Sequence, residues 1–287
     1  YFIGCNAPLE RIGGSVLAHD HYQGGGEILP LQTRGLRRIF KLEAIPSVTV
    51  GIVDWNGSVV RVAGFDKNAV VEASEIIREA WKGYTNESLG IIANRDGVQF
   101  NEISPSVYLR NGSYEMNVIL RSNITSQEYP DGVFHAHPEF HAIKKESIGL
   151  IEAQGLFILP GRLVGQLDAV EQSIVSGSDL PSELSQFQML YDEIIAANAA
   201  RERQAVHSAM ETELASICKP ILANTALFKN ECDFAEFLKS CGFEEINYDY
   251  KVTASGRINV IGEHVDYCGG KVMPAAISLG NTVYARA

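Results

Sequence analysis

Two histidines and a glutamine carry the most pointed chemistry in this sequence. They stand in the run Gly13-Gly14-Ser15-Val16-Leu17-Ala18-His19-Asp20-His21-Tyr22-Gln23-Gly24-Gly25-Gly26. Side chains alternate along an extended chain, so His19, His21 and Gln23 are expected on one face. A neutral imidazole can attack phosphorus, displace a phosphate-linked leaving group and hold the phosphoryl unit covalently. A second histidine or a backbone carbonyl fixes its tautomer. An amide donor such as Gln23 can hydrogen-bond the non-bridging oxygens, where charge concentrates. The flanking glycines let a bulky ligand approach the backbone. An HxH pair alone also fits a surface loop, so its surroundings decide.

Two further groups stand out. His135, His137 and His141 lie close together, and imidazoles at i and i+2 on a strand could ligate one metal. The other reading has His135 and His137 lining a pocket by hydrogen bonding. Near the C-terminus, Gly256-Arg257-Ile258-Asn259-Val260-Ile261-Gly262-Glu263-His264-Val265-Asp266-Tyr267-Cys268-Gly269-Gly270 sets dense polar groups in an apolar frame. Glu263 and Asp266 can accept from vicinal sugar hydroxyls, and Arg257 can stabilise charge on a transferring phosphoryl group. The plain alternative is a glycine-rich buried hairpin.

The elements that must position these residues are legible in outline. Strand runs 48–53 and 58–62 flank Asn56-Gly57, and Asn111-Gly112 separates 107–109 from 114–120, both hairpin signals. Val70, Ala73, Ile77 and Ala80 recur at helical spacing behind a candidate N-cap, Asp66. Residues 148–159 read as an apolar strand, and Pro160 suits the first turn of a helix to about residue 175. Leu184, Phe187, Leu190, Tyr191, Ile194 and Ile195 mark another helix, followed by a helical stretch ending at Pro220. The expected class is α+β, a mostly antiparallel sheet with packed helices. The character changes from about 245, and a boundary is expected between 225 and 245.

The HxHxQ run resembles the active-site strand of galactose-1-phosphate uridylyltransferases, a family of the histidine-triad-like superfamily. Their best-known pattern is H-P-H-x-Q. His19-Asp20-His21-Tyr22-Gln23 looks like the form found in a second, mostly bacterial class. Arg110-Asn111-Gly112-Ser113-Tyr114-Glu115, Phe134-His135-Ala136-His137 and Ile143-Lys144-Lys145-Glu146-Ser147-Ile148-Gly149-Leu150-Ile151-Glu152 resemble further family segments. The likeness spans roughly 1–230, the C-terminal part of such an enzyme. It implies that His21 takes uridylyl from UDP-glucose and passes it to galactose 1-phosphate, with Gln23 steadying the phosphoryl oxygens. It implies an orienting role for His19, a metal ligand in the better-known class. Lys145 falls at a substrate-contact position. Ser15 is a candidate phosphate contact, its register one residue off the family's. The first class uses an HxH like His135 and His137 in a metal site, so the resemblance allows a divalent metal. It also allows a homodimer.

The run from Gly256 resembles the galactokinase signature of the GHMP kinase family, G-R-x-N-x-I-G-E-H-x-D-Y-x-G-G-x-V-x-P. By that likeness Glu263, His264 and Asp266 contact galactose, and Arg257 lies near the reacting phosphate. A complete kinase uses ATP and Mg, but the family's phosphate loop and later aspartate base are absent from the sequence. ATP is not cradled without that loop's backbone donors, so no kinase activity is expected. The expected domains are 1–230, transferase, and 231–287, the start of a kinase-type α+β domain. Two alternatives stay open: a galactokinase or bifunctional transferase–kinase piece, and a noncatalytic nucleotide-sugar-binding module.

Bulk properties narrow the classes. Of 287 residues, 46% are hydrophobic and 21% charged, enough to bury a sizeable core. A net charge of -11 disfavours nonspecific attraction to nucleic acid or anionic membranes. No apolar run reaches the roughly 18 residues of a membrane span. Cys5, Cys218, Cys232, Cys241 and Cys268 form no CxxC pair and read as thiols in a reducing cytoplasm. Both ends read as strands under way, as in a piece of a longer reading frame.

Overall fold

The computed structural model describes residues 1–13, 17–19, 21–197 and 201–248, and the backbone of 250–261 and 273–285. The chain divides into two compact units, Tyr1–Glu245 and Ile246–Ala287.

The first unit is built on one eight-stranded sheet. In chain order its strands are β1 (Phe2–Gly4), β2 (Gln23–Gly25), β3 (Leu36–Lys41), β4 (Thr49–Val53), β5 (Val59–Gly64), β8 (Asn101–Arg110), β9 (Ser113–Ser122) and β10 (Glu244–Ile246). Two short strands, β6 (Asn94–Arg95) and β7 (Val98–Gln99), pair separately. The sheet order is β10-β3-β4-β5-β9-β8-β1-β2, and the pairings from β3 to β2 are antiparallel. This matches the expected α+β class. The Asn111-Gly112 turn has both φ angles positive, at 50° and 82°, as a two-residue hairpin requires.

Helix α1 (Lys67–Gly83) starts where Asp66 accepts from the Asn68 N–H at 2.9 Å. Its buried stripe, Ala69, Val70, Ala73, Ile77 and Trp81, packs against Val60, Val62, Val118 and Leu120. The Trp81 indole N–H donates to the Arg121 carbonyl at 2.9 Å, so the core carries no orphan there. α3 (Arg162–Ser176), α4 (Gln188–Ala197) and α5 (Arg203–Asn224) form a second apolar cluster around Val170, Ile174, Phe187 and Val206. α5 continues through Pro220 instead of stopping there, its end held by the buried Ile221 and Leu222.

The structure corrects one expected element. Residues 148–159 are not a strand. They form a single helical turn, α2 (Leu150–Ala153), followed by Gly155 at φ 99° and an irregular run. The Glu152 carboxylate accepts from Gly149 N–H at 2.9 Å and so satisfies a first-turn donor that a ladder would have used.

Helix α6 (Glu231–Ser240) lies beyond the boundary expected at 230. Its Phe234, Ala235, Phe237 and Leu238 are nonetheless buried in the first unit's main core. In the second unit β11 (Tyr250–Ile261) pairs antiparallel with β12 (Met273–Ala285), with register shifts near Ser255/Arg257 and Asn259/Ile261. Among the described residues, no helix is long and apolar enough to cross a membrane.

Candidate active site

One face of the sheet carries α1 and an apolar core. The other is covered and mixed, with Val53, Val59 and Ile119 packed against Leu31, Ile148 and Leu150 beside a row of polar side chains. Direct cross-strand partners share a face, and they run Gln23, Gly4, Ser106, Asn117, Arg61 across five strands. Arg61 is buried, and its guanidinium donates to Asn117 Oδ1 at 2.9 Å, to the Arg34 carbonyl at 2.6 Å and to the Leu31 carbonyl at 2.8 Å. Burial lowers its pKa. The neighbouring Tyr108 hydroxyl donates to Glu115 at 2.6 Å, and burial raises that phenol. Ser106 Oγ donates to Gln154 Oε1 at 2.8 Å, which ties the residue after α2 to the sheet.

Gln23 opens edge strand β2 opposite Gly4. The regular extended run expected from His19 onward therefore begins late. His21 and Tyr22 lead into the strand, and His19 lies in a bend. Burial alternates through this segment: His21 and Gln23 are half-buried while Tyr22 is 68% exposed. His21 and Gln23 thus turn to the same side, and His19 stays exposed. The two imidazole centroids stand 6.0 Å apart at 62°. Asp20 and Ser15 lie outside the described residues.

Gly13, ahead of the motif, is explained by close approach. Gly13 N–H donates to the Ile148 carbonyl at 3.3 Å, and a Cβ on Gly13 would meet Ser147 O at 2.5 Å. Gly13 therefore lies against the chain entering α2. Leu150, the first residue of α2, donates its N–H to Asn6 Oδ1 at 2.6 Å, and Asn6 Nδ2 donates to Gln23 Oε1 at 3.3 Å. The Gln23 amide thus has its oxygen occupied and its NH2 group as the donor end. Lys145, just upstream, is exposed, whereas Lys144 is buried against Glu152 at 2.6 Å and donates to the Ile158 carbonyl at 3.0 Å.

His135 and His137 are not on a strand but in the loop ahead of a short 3-10 turn. His135 is buried, and its Nδ1 is 3.2 Å from Ala136 O, the oxygen that His141 Nε2 also approaches at 3.2 Å. His137 Nε2 is 3.0 Å from Val133 O, and its ring stacks on Tyr129 at 4.0 Å. Burial holds the His135 imidazole below its ordinary pKa, and the charge of Arg121 adds to that effect. Arg121 is itself buried, which pushes it down to about 10. A metal needs a third donor, and no group of three His, Cys, Asp or Glu is assembled among the described residues. The positive charge of Arg121 that disfavours a charged His135 would also oppose a cation there. The described residues around His135 and His137 do not fit a metal.

Arg257 lies in β11 opposite Ala276, and Glu263, His264 and Asp266 fall outside the described residues. The reading of the sequence missed Asn6, Arg61, Asn117 and Arg121. Its available signal was a polar residue interrupting an apolar strand: Arg61 within Val59-Val60-Arg61-Val62, and Asn117 and Arg121 bracketing Val118-Ile119-Leu120.

Comparison with known proteins bears on the family. Residues 1–189 match the family model described as galactose-1-phosphate uridyl transferase, C-terminal domain. Residues 235–287 match the galactokinase galactose-binding signature. The chain is similar to a galactose-1-phosphate uridylyltransferase of Bifidobacterium longum, 49% identical over 245 residues, covering 85% of this chain and 48% of that protein. Its counterpart from Halalkalibacterium halodurans is 38% identical over 235 residues, 80% of this chain and 46% of that one. The one from Streptococcus mutans is 36% identical over 247 residues, 84% and 50% respectively. The chain therefore spans about half the length of the curated relatives it matches. Comparison with solved structures finds no match.

Proposed function

Since the chain belongs to the galactose-1-phosphate uridylyltransferase family, we propose that it is the nucleophile-bearing half of a UDP-glucose:hexose-1-phosphate uridylyltransferase. His21 attacks the α-phosphorus of UDP-glucose. An N–P bond forms, the P–O bond to the departing glucose 1-phosphate breaks, and uridylyl stays on the imidazole. Galactose 1-phosphate then attacks the same phosphorus, giving UDP-galactose and restoring His21. The Gln23 NH2 group donates to the non-bridging oxygens as their charge grows. Exposed Lys145 offers a positive charge for substrate phosphate, Ser15 a hydroxyl contact, and His19 orients its neighbour.

The observation that supports this most is the pairing of His21 and Gln23 on the inner side of the segment entering β2, with the Gln23 amide turned donor-outward. The test is covalent trapping with uridine-labelled UDP-glucose. It is run on this chain and on the chain preceded by the N-terminal half of its Bifidobacterium relative. Acid-labile label is expected on His21, and His21→Ala should abolish it. Absence of label from both proteins, or label unaffected by His21→Ala, overturns the reading.

For the second unit, the match to the galactokinase signature supports galactose recognition by Glu263, His264 and Asp266, with Arg257 near phosphate. These 287 residues are expected to transfer no phosphate from ATP to galactose. Radiolabelled sugar phosphate above background would contradict that.

A further inference from the structure

We propose that Asn6 is a positioning residue for uridylyl transfer: it dictates which end of the Gln23 amide faces the phosphate, taking its own direction from α2. The inference rests on the function proposed above. Asn6 follows β1 and is only 6% exposed. The argument is one of polarity, passed along bonds that work in one direction. The Leu150 backbone N–H can only donate, so Asn6 must offer it Oδ1, at 2.6 Å. That leaves Asn6 Nδ2, which can only donate, directed at Gln23 at 3.3 Å. Gln23 must then present its oxygen to Asn6, and its NH2 group is left for the ligand. Side-chain amides are otherwise free to turn over, and a turned Gln23 would aim an oxygen lone pair at a phosphoryl oxygen. A backbone N–H cannot turn over. The first turn of α2 therefore sets the polarity of the site through one buried asparagine.

Asn6→Asp separates this role from mere support. The carboxylate still accepts from Leu150 N–H, so the α2 contact survives. It cannot donate to Gln23, whose NH2 group then turns toward Asp and whose oxygen turns toward the phosphate. The rate of His21 labelling is expected to fall about 10- to 1,000-fold, as for Gln23→Ala, with the KM for UDP-glucose changing much less. Added to Gln23→Ala, Asn6→Asp should cause little further loss. Without substrate, the urea stabilities of Asn6→Ala, Gln23→Ala and the double variant of this chain should be non-additive, because one hydrogen bond joins the pair. Additive losses overturn the proposal, as does an Asn6→Asp protein that labels at the wild-type rate. If the wild type takes no label, the transferase reading fails and this role with it. If the wild type and Asn6→Asp both take label equally, only the role of Asn6 fails.

Discussion

Gly4 sits where β1, β8 and α2 converge. A Cβ there would press into the Pro105 carbonyl oxygen and stand 2.9 Å from Leu150 Cδ2. The oxygen belongs to backbone that a strand ladder holds, so it cannot step aside cheaply. Gly4→Ala is expected to cost about 1–3 kcal/mol in urea unfolding, the usual scale of overpacking. His135 and His207 make opposite contributions to stability against pH. Burial depresses His135, so its share is present above the ordinary imidazole pKa and is lost as pH falls through the folded value. The Glu171 carboxylate, 2.8 Å from His207 Nδ1, raises His207. That share is present below the ordinary value and lost as pH rises through the folded one. Urea midpoints from about pH 5 to about pH 8 should therefore change in opposite senses in two variants. His207→Gln should make stability climb more steeply with pH than in the wild type, and His135→Gln should flatten the climb. Equal slopes in both would remove the assignment.

At the scale of elements, α2 shows what an apolar run does not say. Ile148, Leu150, Ile151 and Leu156 suit a strand by composition, but the run is broken by Gly149 and Gly155 and carries Glu152 in its middle. Glu152 is drawn inward to Lys144, both side chains being 5% exposed, and it also accepts from the Gly149 and Ile158 N–H groups. That set of partners lies on both sides of α2 and requires a compact turn. Lys144→Met would leave the carboxylate buried without its cation, a loss on the order of 3–5 kcal/mol. Lys145→Met, one residue on and exposed, should change stability by less than about 0.5 kcal/mol. Equal losses for the two lysines in urea melts would refute the buried pair. The same contrast explains which parts of the fold were legible. Asn-Gly turns and the Asp66 cap act within a few residues, so their outcome is written locally. His21 and Gln23 could be singled out because the motif is contiguous. Asn6, 144 residues from Leu150 in sequence, owes its role to a contact that only folding creates. Nothing near it in the chain announces that contact.

At the scale of the whole molecule, the sequence families and the compact units divide the chain at different places. The galactokinase signature begins at residue 235, inside α6, while the first unit runs to Glu245. Phe234, Phe237, Leu238 and Phe243 are each at most 4% exposed. The Phe237 ring meets Trp81 at 5.7 Å and Tyr84 at 5.0 Å, so this helix closes the core beneath α1. Arg38 clamps the strand after it through Glu245, with contacts of 2.5 and 2.6 Å. Each large apolar side chain removed with this segment carries about 1.5–3 kcal/mol of burial. Four of them total roughly 6–12 kcal/mol, comparable to the whole stability of an ordinary domain of about 5–15 kcal/mol. A chain ended after Asn230 is therefore expected to lose cooperative unfolding and to expose apolar surface. A chain ended after Tyr248 keeps every one of these contacts and should melt near the temperature of the full chain. Circular-dichroism melts and dye binding on the two shortened proteins decide the matter. A cooperative, stable protein ending at Asn230 would mean that α6 is a passenger on the transferase sheet. The reverse result would mean that the first part of the galactokinase-like segment completes the transferase core.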